Sequence, residues 1–340
     1  IGVSALGATT TGSNNTGVGY HALLANTTGD YCTAVGGECL DANTTGRNTG
    51  YGFRSLSDVT TGTNNTGIGD HALRLCTGNR NTALGHASLQ QNTTADNNTA
   101  VGYNALNANT TASNITAVGA YALDANTTGS NNQAFGYGAL SQNTTGGSST
   151  AVGYNALNAI TTNGGCTAVG YQALLVGTGE NNTAVGKDAL TANTTGAYNT
   201  AVGHSVLVKN TTASNNTAIG YLALEENTTG AQNVAVGMRS LQENTTANYN
   251  TAVGYKALED NQTGAYNTAM GSQALLANDA SYNTAIGNDA LTANTTGTTN
   301  TALGYQSLTA NTTADNNTAI GNQTLVTNTT GTKNVAVGGR

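Results

Sequence analysis

The chain has 340 residues, of which only 8% are charged and 5% aromatic, with 45 Gly and neither Pro nor Trp; such a composition cannot fill one large globular core with bulky side chains. Its net charge of -7 arises from 17 acids against 10 bases scattered along the chain, with no basic stripe to neutralise a phosphate backbone, so nucleic acid is not an expected partner. No run of about 18 apolar residues is present, which excludes a membrane-spanning helix, and a start at Ile1 without a charged-then-apolar leader reads as a mature or internal segment.

Alignment on the Gly that follows an apolar residue turns the sequence into one unit repeated. Gly2, Gly19, Gly36 and Gly52 open a series that runs through Gly102, Gly203 and Gly304 to Gly338, with every spacing 17 or 16. The unit reads N-T-A-V-G-Y-x-A-L-x-A-N-T-T-G-x-x, and self-similarity at a fixed short period is the mark of a solenoid. Residues 1–340 are therefore expected to form a single tandem-repeat array, an all-β parallel β-solenoid or β-roll of about 20 coils of 17 residues. Neither end carries an atypical capping repeat, so the array reads as uncapped at both.

Within the unit, N-T-A-V ahead of the key Gly is rich in β-favouring Thr and Val and predicts one short strand, and Y-x-A-L after it predicts a second. The A-L-x-A-N stretch is also compatible with a single helical turn. Leu stands four residues after the key Gly in all 20 complete units, so Leu23, Leu106, Leu157, Leu224 and Leu291 are assigned to the core. The residue just before the Gly is nearly always Val, Ile or Leu, and Val101, Val152 and Val202 are assigned to a second core row beside the first. Ala or Gly two before the Gly, and Ala or Ser three after it, imply close backbone approach. The one-residue deletions, as between Gly36 and Gly52, fall in the polar connection and leave both apolar clusters in register.

Asn occupies two positions per unit, four before the key Gly in 16 of 20 units and seven after it in 15 of 20. Stacked coils place identical amides above one another, where each can donate to one neighbour and accept from the other. The position seven after the Gly also creates N-x-T acceptor sequons at Asn26, Asn43, Asn92, Asn109, Asn126, Asn143, Asn193, Asn210, Asn227, Asn244, Asn261, Asn294, Asn311 and Asn328, and others such as Asn97-Asn98-Thr99 and Asn114-Ile115-Thr116 accompany them. Coils rise by about 4.8 Å, so a glycan on every coil would be crowded. The structural ladder is the favoured reading of these residues, with sparse glycosylation as the alternative.

No catalytic, cofactor-binding or metal-binding set emerges. Cys32, Cys39, Cys76 and Cys166 lack paired short spacings and read as isolated substitutions in the repeat. His21, His71, His86 and His204 fall at variable positions one or two after the key Gly, and every Ser or Asp that might join them sits at a similarly variable slot. The G-x-G matches lack the strand-to-helix context of a phosphate loop. Tyr recurs directly after the key Gly, at Tyr20, Tyr103, Tyr137, Tyr154, Tyr171, Tyr221, Tyr255 and Tyr305, a row that reads first as packing and second as a sugar-contacting stripe.

The A-V-G-Y-x-A-L and N-N-T-A-V-G cores, as at Asn98 to Leu106 and Asn216 to Leu224, resemble the head repeats of trimeric autotransporter adhesins and related repeats of phage tail fibres, over essentially the whole chain. This chain departs from them by a longer unit with an added N-T-T-G segment. The resemblance implies a left-handed β-roll with three chains packed side by side and no catalytic residues. The expected function is accordingly structural: an extracellular rod or filament at a cell or virion surface, on the order of 96 Å for 20 coils, whose partner is itself as a homotrimer or an end-to-end filament. The competing reading is a recognition surface on which Thr rows, as in the Thr27-Thr28 and Thr194-Thr195 pairs, bind ice or carbohydrate. Only one Thr of each pair can face a given array.

Overall fold

The structure, a computed structural model, describes residues 1–339. It contains strands and turns and, among the described residues, no helix. The chain divides into two compact units, Ile1–Cys166 and the remainder from Thr167, and each is a parallel β-solenoid built from the same coil. Every coil contributes one strand of three or four residues. In the first unit these run from β1 (Thr16–Val18) and β2 (Thr33–Val35) through β3 (Asn48–Tyr51), β4 (Asn65–Ile68), β5 (Thr82–Leu84), β6 (Thr99–Val101) and β7 (Thr116–Val118) to β9 (Thr150–Val152). In the second they run from β10 (Thr167–Val169) through β12 (Thr200–Val202) and β13 (Thr217–Ile219) to β20 (Val335–Val337).

Pairing is parallel and in exact repeat register: Thr99, Ala100 and Val101 lie beside Thr116, Ala117 and Val118. The shortened coils keep it, with Thr33, Ala34 and Val35 beside Thr49, Gly50 and Tyr51. A loop can lose a residue without moving a ladder, whereas a one-residue slip within the strand would turn its inner side chains outward.

The middle residue of each strand points inward. In β6, Ala100 is buried while Thr99 and Val101 are half-exposed. This corrects the expected second core row: Val101 and Val202 are only half-buried, and Val152 is 37% exposed. The reason is the period-2 geometry of a strand. With Ala filling the inner position, the flanking Thr and Val must share the outer face. Leu23, Leu106, Leu157, Leu224 and Leu291 are fully buried, so the Leu row supplies the large apolar side chains of the core, set among Ala and Asn, with Ile115 and Ile160 buried beside it where they replace Asn.

The second expected strand, Y-x-A-L, is instead a run of turns. Ala105 and Leu106 are consecutive and both buried, which an extended strand with a single inner face cannot achieve. Leu106 has φ 53° and Asn104 φ 52°, and these left-handed residues swing the chain so that neighbouring side chains point the same way. The cost of a left-handed L-residue, about 1–2 kcal/mol, is opposed by full burial of the Leu, about 1.5–3 kcal/mol. Hydrogen bonding between coils survives the change, since Asn104 N–H donates to the His86 carbonyl (3.0 Å) on one side and Leu106 N–H to the Ala122 carbonyl (2.9 Å) on the other.

The key Gly is required twice over. Gly102 has φ 136°, and a Cβ there would lie 2.6 Å from the carbonyl oxygen of Gly119 in the next coil. Both the dihedral and the stacking distance reject a side chain.

Within one coil, Leu106→Ala is expected to cost about 2–5 kcal/mol and Val101→Ala about 1 kcal/mol or less. Amide hydrogen exchange, resolved to the neighbouring coils, checks this; equal losses at the two positions would restore Val101 to the core.

Candidate functional site

The residues singled out by the repeat fall on an inner and an outer surface. Inside, the Asn seven after the key Gly form the expected amide ladder. Asn109 Nδ2 donates to Asn92 Oδ1 at 2.8 Å, Asn126 to Asn109 at 3.2 Å and Asn143 to Asn126 at 2.7 Å. In the second unit Asn210 donates to Asn193 at 2.8 Å, Asn227 to Asn210 at 2.9 Å and Asn244 to Asn227 at 2.8 Å. Asn43 likewise meets Asn26 and Asn261 meets Asn244, and the column closes with Asn311 on Asn294 and Asn328 on Asn311. All of these are buried except Asn328, which is half-buried.

Asn278 belongs to the same ladder, 3.2 Å from Asn261 and 2.7 Å from Asn294, although it is followed by Asp279 and Ala280 and so forms no sequon. The sequon pattern had hidden it; its place in the repeat is the signal that finds it. Where Ile160 replaces the next Asn, Asn143 Oδ1 is left buried without a partner, and where Cys76 does so, its Sγ accepts from Asn92 Nδ2 at 3.1 Å.

The Asn four before the key Gly behave differently from the expected side-chain ladder. Asn98 Oδ1 accepts from the backbone N–H of Ile115 (3.0 Å), one coil on, and Asn98 Nδ2 donates to the Ala112 carbonyl (2.9 Å). Asn109 Nδ2 donates to that same carbonyl at 3.0 Å. Gly196 is held in the same way by Asn182 (2.8 Å) and Asn193 (2.9 Å). In coils that keep both Asn, two amides from different columns thus clamp one inward carbonyl. A glycan on the inner Asn would consume the nitrogen that makes both bonds and would have to leave the core. Asn97, Asn114 and Asn215, by contrast, stand exposed at corners with φ near 60°.

Outside, three rows matter. The first Thr of most T-T pairs spends its hydroxyl on the next coil: Thr93 Oγ1 donates to the Thr110 carbonyl at 2.9 Å and Thr110 to Thr127 at 3.1 Å. Thr27 and Thr194 do the same toward Thr44 and Thr211. The first Thr of the nominated pairs is therefore engaged in holding coils together, while the second, as Thr195, stays exposed.

The Tyr row is interrupted after Tyr103 by Ala120, and Tyr121 at the following position fills the gap. Centroids run 5.4 Å from Tyr103 to Tyr121, 5.8 Å to Tyr137 and 5.5 Å to Tyr154. A second column that the repeat pattern did not suggest, Tyr249, Tyr266 and Tyr282, stacks at 4.9 and 5.2 Å with planes within 10°. Rings stacked this way spend their faces on one another, leaving edges and hydroxyls outward, which disfavours the flat sugar contact that aromatic faces provide.

Ionic pairs occupy variable outer positions. Arg54 meets Glu38 at 2.6 Å in the first unit, and Glu259, nearly buried, lies 3.1 Å from both Arg239 and Lys256 in the second. His71 Nδ1 lies 2.9 Å from Asp70, while His21 stacks on Tyr20 and His204 against Tyr221. Burial, then the neighbouring Asp58 and Glu38, pushes the Asp41 carboxyl upward. No three His, Cys, Asp or Glu among the described residues are arranged to hold a metal ion, and no described helix is long and apolar enough to cross a membrane. All four cysteines are buried. No protein-family model and no curated protein matches the chain.

Two outcomes follow from this inner surface. Asn109→Ala should cost about 1–3 kcal/mol by stranding buried amide partners, whereas Asn97→Ala at the exposed corner should be within about 0.5 kcal/mol of neutral; paired chemical melts distinguish them. Burial pushes the Cys39 thiol from 9.0 up to about 12. The folded chain therefore holds a proton that the unfolded chain releases. The associated stability is present below pH 9.0 and is lost as pH rises from there toward about 12. A Cys39→Ala variant should lose less stability than the parent over that window in alkaline melts; identical alkaline profiles would contradict the burial of this thiol.

Proposed function

We propose that this chain is a structural fibre segment, an extended extracellular rod or filament at a cell or virion surface, assembled from copies of itself as a left-handed homotrimer or end to end. The likeness of its N-N-T-A-V-G and A-V-G-Y-x-A-L cores to adhesin-head and tail-fibre repeats is part of the case. The observation that carries it is the interior: each coil is tied to the next by a strand ladder and, in most coils, by buried Asn bonds as well. Load applied along such a stack is shared among many short hydrogen bonds.

Self-association is supported by the outer aromatic columns. Tyr249, Tyr266 and Tyr282 are each about half-exposed and stacked in one line, and exposed aromatics with outward hydroxyls are favoured interface material. Glycans carried by the folded chain would sit on corner residues such as Asn97, Asn114 and Asn215, away from the inner ladder.

Light scattering is expected to return three times the chain mass of 33.9 kDa for discrete rods, or a far larger mass for filaments, with electron cryomicroscopy separating the two forms. A monodisperse single-chain mass at micromolar concentration would remove the self-assembly reading. Tyr249→Ser combined with Tyr266→Ser is expected to weaken association while leaving the melting temperature of the single chain unchanged.

A further inference from the structure

The strands present an outer face that the fibre reading leaves unused. In the first unit, β5, β6 and β7 turn Thr82, Thr99 and Thr116 outward, with Leu84, Val101 and Val118 two residues further along on the same side. The second unit carries the same two rows from β10 to β13. The register of the parallel strands stacks Thr over Thr and aliphatic over aliphatic, so the face is a grid with one repeat at the strand spacing of about 4.8 Å and the other at the two-residue rise of about 6.7 Å.

Three observations define what this grid can hold. First, the hydroxyls of Thr82, Thr99 and Thr116 make no hydrogen bond among the described residues, in contrast to Thr93 and Thr110, which donate to the next coil. Second, neither row contains a charged residue anywhere in the chain, although the positions directly after the key Gly carry Asp, Lys and His. Third, most side chains in the two rows are β-branched and stiff at χ1, so holding them in a fixed array costs little additional order. A crystalline water surface is uncharged and periodic, and it offers a hydrogen-bonding partner to every hydroxyl and a cage to every methyl.

We propose that the Thr and aliphatic rows of the strands form an ice-binding face. Its bulky interruptions, Tyr51 and Phe135 in the first unit and Met270 in the second, bound the smooth stretches on which adsorption takes place. This inference does not rest on self-assembly, because it uses the Thr and aliphatic residues of the strands rather than the Tyr columns.

The test is thermal hysteresis and crystal shaping by the purified full chain, compared with a variant carrying Thr99→Lys, Thr116→Lys, Thr200→Lys and Thr217→Lys. All four positions point outward, so circular dichroism and melting temperature should match the parent. The parent is expected to separate freezing from melting and to facet ice crystals, and the variant to fall to the buffer baseline. Tyr249→Ser with Tyr266→Ser should retain the parent's ice activity whatever its effect on association. A folded parent without hysteresis or faceting, or a folded Lys variant that keeps both, would overturn the proposal. So would an inactive parent whose assembly is broken into single chains by the Lys substitutions, since the face would then be a contact between copies.

Discussion

An inward-pointing carbonyl recurs in nearly every coil, that of Ala112 in one and Gly196 in another, and the remaining structure depends on its being bonded. A buried acceptor without a donor is costly. Asn is short enough to fit and carries two donors. One amide reaches the carbonyl from three residues earlier in the same coil, and another from fourteen residues earlier. Most of these Asn then use their oxygen toward an adjoining coil, as Asn98 does toward Ile115 and Asn92 toward Asn109. One bond thus satisfies the local turn and the next fixes the register, and this double use ties coil shape to coil stacking.

The other inner residues follow from the same narrow section. Ala100 and Ala105 are small because the coil closes around them, and Leu106 is the large side chain packed beside them. Its left-handed backbone brings it inward beside Ala105 rather than alternating with it. Gly102 sits where the chain turns so closely against Gly119 that no Cβ fits. Inner positions are consequently restricted to a few residue types, while the outer ones accept Tyr, His, Asp, Lys or Asn. Any recognition chemistry of this protein has to be sought on the outside, where variation does not disturb the ladder.

Much of this was legible in the repeat. The Leu and Asn positions, the special Gly and the tolerance of shortened coils follow from spacing, because a residue that must occupy the same place in every coil recurs at the same interval. The aliphatic residue before the Gly was misleading. Val101 and Val152 recur as regularly as Leu106, and hydrophobic regularity alone does not tell an inner row from an outer one. The Thr rows were misleading for a related reason. Thr110 and Thr99 look alike in sequence, and only the hydrogen bond from the Thr110 hydroxyl to the Thr127 carbonyl separates an engaged row from a free one. Tyr121 lay outside the expected Tyr position because stacking between coils joins it to rings from a neighbouring slot of the repeat, and Tyr249, Tyr266 and Tyr282 share a slot, five before the key Gly, that other residues fill in most coils.

By itself, then, the sequence determined that the chain is a stack of equivalent coils with Leu and Asn inside, because periodic identity forces periodic environment. Tertiary structure decided which way the remaining side chains face. The inner place in each strand goes to Ala, which sends Thr and Val outward together, and the left-handed Leu turns a would-be second strand into a corner. Those choices depend on backbone dihedrals and on contacts between coils about 17 residues apart, which composition and spacing along the chain do not specify.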